Sequence, residues 1–225
     1  MDHATFLELI PREAGALAAA ARAAGPETTV PSIPEWTTAK PVKHAGTTHR
    51  WVLGVIAQQG PISLADLDLE IPDAEEGYPD WFETGARALV SALATQDPDK
   101  GLWSWGVDQH VRFWSRRMAH ETTVHRWDSE TALGAPAPVE TALAVDGIDE
   151  RFENLPASLP FTGSGPEVLV GEGETIHLHA TDTDGEWLLR FAPDGLAVTR
   201  EHAKGDVAVR GTASDLLLFT LGRAP

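Results

Sequence analysis

Two side chains that can bind a metal, Glu121 and His125, lie four residues apart in the segment RRMAHETTVHRWD. At about 100° per residue, this spacing puts them on one face of a helix, together with the apolar Met118. A carboxylate on an apolar stripe needs a cation beside it. Two alternatives provide one. Either Glu121 pairs with Arg117 and His125 bonds a neighbour, or both side chains hold a divalent metal, as on zinc-binding helices.

A third metal ligand has to come from elsewhere in the chain. His44 and His49 fall on one predicted helix, but at five residues apart they point about 140° from each other, so only one of them can serve. His120 points away from the metal-binding face. His177 and His179 share one face of a predicted strand and form either a separate site or an exposed pair. Histidines without a partner in the sequence are expected on the surface: His3, His110 and His202.

The composition excludes several classes of protein. With 17 Lys and Arg against 34 Asp and Glu, the formal charge is −17, and no basic stripe is present, which argues against a nucleic-acid-binding protein. No apolar run approaches the roughly 20 residues of a membrane span, so we expect a cytoplasmic protein that does not bind membranes. The absence of cysteine excludes disulfides, thiolate metal sites and a thiol nucleophile supplied by the protein.

Helical patterns dominate the part of the chain that must position these ligands. Strong helix formers run from His3 to Ala24, with a start or a kink expected at Pro11. A second helix is predicted from Thr37 or Thr38 to about Gln59, and a third over Phe82–Thr95. The fourth helix is expected to follow a cap at Asp108. The pattern predicts a four-helix unit.

The segment GAPAP, residues 134–138, is interpreted as a domain linker, because the pattern changes after it. A helix is predicted over Val139–Asn154 and a loop over Leu155–Pro166. Three or four short strand patterns with Asp-Gly turns follow: Thr175–Ala180, Trp187–Ala192, Leu196–Glu201 and Asp206–Gly211. A last helix, capped by Thr212 or Ser214, runs through Leu221. We therefore expect a small α+β unit with a largely antiparallel sheet.

The segments PEWTTAKPVKHAGTTHRWV and RRMAHETTVHRWD resemble the mycothiol-dependent maleylpyruvate isomerase family of high-GC actinobacteria. The segments VDGIDERFENLP and GTASDLLLFTLGR resemble the opening and closing helices of that family's second domain. The resemblance covers nearly the whole chain, and the HExxxHRWD run is its most specific part. It implies a multidomain α and α+β fold, with a DinB-like four-helix bundle over residues 1–134 and a small sterol-carrier-like α+β domain over residues 139–225.

The resemblance also implies a metal site and a mechanism. In this family, one histidine of the second helix and a Glu-x-x-x-His pair of a later helix bind a metal, and these residues correspond here to His44, Glu121 and His125. Such a set suits Zn²⁺, with nickel, iron or manganese as alternatives, and it leaves one position open on zinc. The family fills that position with the thiolate of mycothiol. The thiolate adds to a cis-enedioyl double bond and leaves again as the trans isomer forms, or it stays on the product of a transferase.

Two further residues are candidates for supporting roles. Asp128 either accepts the N–H of the His125 imidazole or is a surface carboxylate paired with an arginine. Arg223 resembles an arginine that the family places toward its active-site cleft, where it would hold a carboxylate of substrate or cofactor. Its alternative role is that of a charge at a helix C-terminus. Four tryptophans are interpreted as core or cleft wall: Trp36, Trp51, Trp114 and Trp127.

The favoured function is a zinc- and mycothiol-dependent isomerase or S-transferase that acts on a small electrophile, as a monomer or weak homodimer. Because the chain has no cysteine, the thiol has to be imported. Two alternatives stay open: a metal-dependent hydrolase that uses zinc-bound water, and a non-catalytic protein whose second domain binds an apolar ligand. The charge of −17 favours a substrate less anionic than the dianion maleylpyruvate, or else a locally positive site.

Overall fold

The computed structural model describes residues 1–223 and divides into two units. The first unit comprises Met1–Ser104 and Asp108–Ala137. The second comprises Trp105–Val107 together with the chain from Pro138 onward. Among the described residues, no helix combines the length and the apolar character that crossing a membrane requires.

Four long helices build the first unit: α1 His3–Ala24, α2 Ala39–Gln58, α3 Tyr78–Ala94 and α4 Val111–Thr131. Both α1 and α2 pack against α3 and α4, so the apolar faces of the helices meet in one core. Its largest fully buried side chains are Ile10, Leu17, Phe82, Leu89, Leu93, Trp114 and Met118. The predicted four-helix bundle is confirmed.

Three helix starts differ from the sequence expectation. α1 begins after Asp2, whose side chain accepts the Thr5 N–H, and it continues through Pro11 because the helix buries residues on both sides of that proline. α3 begins at Tyr78 rather than at Phe82, with a proline in its first turn, where the missing N–H costs nothing. α4 begins at Val111, since the Asp108 side chain binds Arg112 and His110 instead of capping the helix.

A short antiparallel hairpin connects α1 to α2, in a segment for which the sequence predicted no strand. It consists of β1 Thr29–Val30 and β2 Ile33–Thr37. Val30 is fully buried and anchors the hairpin to the bundle. The hairpin matters because β2 carries Trp36.

The second unit is a four-stranded sheet with two helices. Its elements are α5 Thr141–Thr162, β3 Thr175–Ala180, β4 Glu186–Ala192, β5 Gly195–Thr199, β6 Val207–Gly211 and α6 Ala213–Thr220. The strand order is β5-β4-β3-β6, in which β4 pairs antiparallel with β3 and β5 while β6 pairs parallel with β3. The predicted α+β unit with a largely antiparallel sheet is therefore confirmed.

α5 is longer than the sequence indicates, and the predicted loop after Asn154 is wrong up to the end of α5, over residues 155–162. The helix runs through Pro156 and Pro160, although each proline removes a helical hydrogen bond. It continues because Leu159 is buried and α5 packs along α6. The helix ends at Gly163, which takes the left-handed conformation with φ 71°.

Candidate metal centre

The helix α4 presents Glu121 and His125 one turn apart, as the spacing predicted. Oε1 of Glu121 lies 3.2 Å from Nε2 of His125. The His125 side chain is buried, and that of Glu121 is 16% exposed. Two polar groups therefore meet at the edge of the bundle core, where solvent still reaches one of them.

The third predicted ligand, His44, comes from α2. Its Nε2 lies 2.9 Å from Oε1 of Glu121, and its side chain is 46% exposed. One donor atom from each of His44, Glu121 and His125 lies within 4.8 Å of the others. We call this group the bundle cluster. The structure thus brings together the three residues that the sequence singled out.

His49, the alternative on the same helix, lies elsewhere. It is completely buried, its Nε2 is 2.9 Å from the Thr122 hydroxyl, and its ring lies against Phe82. Burial lowers the pKa of His49 to about 4, so it is a neutral core residue. The 140° difference predicted between the two histidines separates a partly exposed residue from a buried one.

Asp128 stands behind His125. Its Oδ2 lies 3.0 Å from Nδ1 of His125, and its Oδ1 accepts a hydrogen bond of 2.9 Å from the Ser32 hydroxyl. Asp128 is fully buried, so it is not the surface carboxylate of the alternative interpretation. Because the carboxylate holds Nδ1–H, the nitrogen that faces Glu121 is Nε2, and a bound metal would take the place of its proton.

Arg117 holds the other oxygen of Glu121. Its Nη2 lies 2.9 Å from Oε2, while Oε1 faces the two histidines. Glu121 therefore contacts both Arg117 and the two imidazoles, whereas the sequence presented the pair with Arg117 and metal binding with His125 as alternatives. The ion pair occupies one carboxylate oxygen and leaves the other for a cation.

The electrostatics of the bundle cluster favour positive charge. Burial alone would lower the pKa of His125, but hydrogen bonds to Asp128 and Glu121 raise it to about 9. Burial likewise opposes ionisation of Glu121, yet hydrogen bonds to His125 and His44 hold its pKa well below the usual value. A site that stabilises an imidazolium ion in this way also stabilises a metal cation.

The bundle cluster fits a divalent metal on its donor set and spacing. Ligand atoms of a tetrahedral zinc site lie about 3.3 Å apart when each is about 2.0 Å from the metal. The separations of 2.9 and 3.2 Å from Glu121 to the two histidines are close to that value. Two imidazoles and a carboxylate, with a carboxylate behind one imidazole, are the composition of a catalytic zinc site.

Trp36 forms one wall of the centre. Its ring stacks on that of His125, with centroids 5.7 Å apart, and lies 5.8 Å from that of His44. Trp36 also lines a cleft of about 410 Å³, together with Lys40 and Lys43. The sequence predicted cleft wall as a possible role for Trp36 but missed the hairpin that places it. The prolines around the hairpin concealed the strand signal.

The remaining candidates of the first unit take structural positions. His120 is buried and packs edge-to-face on Phe6. His3 and His110 bond to Ser115 and Asp108. In the second unit, Arg223 follows α6 and donates a hydrogen bond to the Leu221 carbonyl.

Comparison with known proteins gives a match over each half of the chain. Residues 7–130 match the family model of the mycothiol maleylpyruvate isomerase N-terminal domain, and residues 142–225 match that of the MDMPI C-terminal domain, from the same family. No curated protein and no solved structure matches the chain. The bundle, the small α+β unit and the two matched domains agree in order and extent. The chain belongs to the mycothiol maleylpyruvate isomerase family.

Proposed function

We propose that this protein is a divalent-metal-dependent enzyme, zinc being the metal that suits its donors best, which uses mycothiol to isomerise a small electrophile or to transfer the thiol to it. The observation that carries the proposal is the bundle cluster with Asp128 behind it. It lies within the residues matched by the N-terminal domain of the family. Three protein ligands suit a catalytic site, because they leave a coordination position free.

The side chains in and around the bundle cluster have different roles in this proposal. His44, Glu121 and His125 would hold the metal, which when bound lowers the pKa of a thiol or water beside it. Asp128 keeps the proton on Nδ1 of His125, so that Nε2 stays a ligand. Arg117 fixes the orientation of the Glu121 carboxylate through its Oε2. Trp36 covers the His125 ring and limits the access of water on that side.

The nucleophile comes from outside the chain. The sequence has no cysteine, so a reaction that needs a thiolate has to import it. A small thiol such as mycothiol fills that role in the family that the chain belongs to. We propose a cytoplasmic location, where thiols are kept reduced.

The cleft beside Trp36 suits an electrophile of low charge. Lys40 and Lys43 line it, but so do Glu35 and Glu75, so its formal side-chain charge is zero. The chain as a whole carries −17, which opposes the approach of a dianion. We propose a substrate with one carboxylate or none. The role predicted for Arg223 stays a prediction.

The test combines metal analysis with a mycothiol titration. His125→Ala should lower the metal content by one equivalent per chain relative to the wild type and abolish saturable mycothiol binding measured by calorimetry. His110→Ala is the matched control, since His110 lies next to α4 and outside the cluster. It should leave metal content and mycothiol binding unchanged.

Two outcomes would overturn the proposal. Equal metal content in the wild type and His125→Ala would show that the bundle cluster does not bind a metal. Metal-dependent turnover without any mycothiol binding would favour the hydrolase alternative, in which water takes the place of the thiol.

A further inference from the structure

A second group of metal-binding side chains lies in the second unit. His177 and His179 are two residues apart on β3 and therefore share one face of the sheet. Glu186, the first residue of β4, pairs with His179 across the strands and faces the same way. His202 reaches this face from the connection between β5 and β6. His202 lies on the surface, as expected, but it does have a partner, because its Nδ1 contacts Glu186.

The four side chains converge on one carboxylate. Nε2 of His177 lies 2.5 Å from Oε2 of Glu186, and Nδ1 of His179 lies 2.5 Å from its Oε1. Nδ1 of His202 lies 2.9 Å from the same Oε1. One donor atom from each of the four residues lies within 4.8 Å of all the others. We call this group the sheet cluster.

We propose that the sheet cluster binds one divalent transition-metal ion of the zinc class through four protein ligands. Three imidazole nitrogens and one carboxylate oxygen are a complete tetrahedral donor set. One donor atom of each residue lies within 4.8 Å of the other three, and the nitrogen–oxygen contacts of 2.5 and 2.9 Å would lengthen toward the roughly 3.3 Å that separates ligand atoms in a tetrahedral site. The proposal depends only on residues of the second unit and is independent of the function proposed for the bundle cluster.

A hydrogen-bonded network alone explains this arrangement less well. Three imidazoles share the two oxygens of a single carboxylate, more donors than one carboxylate needs. Three of the nine histidines of the chain meet at this point, two from β3 and one from the connection between β5 and β6.

The ligands differ in exposure, which gives a metal a route to the site. The side chain of His177 is 8% exposed, whereas that of His202 is 78% exposed. The loop that carries His202 is anchored nearby at Gly205, where a Cβ atom would lie only 2.9 Å from the His177 backbone nitrogen. A metal bound by His202 would therefore tie this loop to β3 and β4. Four protein ligands leave no position for a substrate, which is typical of a structural site.

The experiment counts metal ions in variants that retain one cluster each. Purified protein is stripped with a chelator, loaded with Zn²⁺ alone, and assayed by elemental analysis and calorimetry. We expect two equivalents for the wild type. The variant His179→Ala/His202→Ala should bind one, and His44→Ala/His125→Ala should also bind one. Glu201→Gln is the matched control, because Glu201 neighbours His202 but bonds Thr199, and it should bind two.

The test of the sheet cluster is the metal content of His44→Ala/His125→Ala, which lacks two ligands of the bundle cluster. A failure of one proposal is thereby distinguished from a failure of the other. One equivalent bound by His44→Ala/His125→Ala, and lost when His202→Ala is added, supports the sheet cluster. No metal bound by His44→Ala/His125→Ala overturns it, as does an equivalent that survives in the triple variant. The single change His202→Ala affects an exposed side chain and so leaves folding intact, which circular dichroism would check.

Discussion

The bundle cluster and the sheet cluster consist of the same residue types, histidine and glutamate, but differ in the number of donors. The bundle cluster has three donors, and its second carboxylate, Asp128, is fully buried behind a ligand. The sheet cluster has four donors, which are three imidazoles and the single carboxylate of Glu186. Because the number of donors decides whether a bound metal keeps a free position, the two proposals assign a reactive site to the bundle and a structural site to the sheet.

The secondary-structure elements that hold the two clusters also differ. In the bundle, two helices and a hairpin supply the ligands and the wall, and a cleft adjoins Trp36. In the sheet, paired strands fix three donors through their register, and only His202 comes from a loop. Strand register fixes the spacing of the donors in the sheet, whereas the packing of α2 against α4 sets it in the bundle.

The largest expected difference is in the response to a thiol. The variants that keep one cluster each are loaded with Co²⁺, and mycothiol is added. The cobalt spectrum of His179→Ala/His202→Ala, which retains the bundle cluster, should gain a thiolate absorption. That of His44→Ala/His125→Ala should not change, because four protein ligands already fill the tetrahedron. Equal responses from both variants would contradict the distinction between open and closed sites.

Acid should reveal a second difference, which comes from the buried His49 in the bundle. Its pKa is about 4 when folded, against 6.5 for an ordinary histidine, so below pH 6.5 the unfolded chain takes up the proton that the folded chain refuses. The contribution of this group is complete above pH 6.5 and is lost as the pH falls toward 4. The loss amounts to about 3 kcal/mol in the free energy of unfolding.

Denaturant unfolding between pH 7 and pH 4.5, followed by tryptophan fluorescence, measures this effect. The fluorescence reports mainly on the bundle, which holds six of the eight tryptophans. His49→Gln replaces the imidazole by a side chain that does not titrate, so its stability should fall less steeply with acid. Parallel curves for the wild type and His49→Gln would show that His49 is not the group responsible.

The smallest of these effects concerns Asp128. Asp128→Asn should weaken metal binding at the bundle cluster about 10- to 100-fold, because the amide no longer fixes the tautomer of His125 as the carboxylate does. Competition with a chromophoric chelator measures the affinity. The sheet cluster of the same molecule is the internal control and should keep its affinity. A parallel loss at both clusters would indicate general destabilisation instead.

Local patterns predicted most elements correctly and failed where packing overrides propensity. The spacing around Glu121 identified α4, and the strand over Thr175–Ala180 was predicted with its observed bounds. α5 was cut short, because prolines break an isolated helix but not one whose buried face packs on a neighbour. The hairpin before α2 was missed, since two- and five-residue strands carry little periodic signal.

By itself, the sequence determined which residue types share a face. Glu121 and His125 had to lie one turn apart, and His177 and His179 on one side of a strand, because these spacings follow from the periods of helix and strand. The tertiary structure alone decided which faces meet. It brought His44 rather than His49 to Glu121, buried Asp128 behind His125, and carried His202 to Glu186. Such contacts depend on helix packing and loop paths between distant segments, which a local period does not encode.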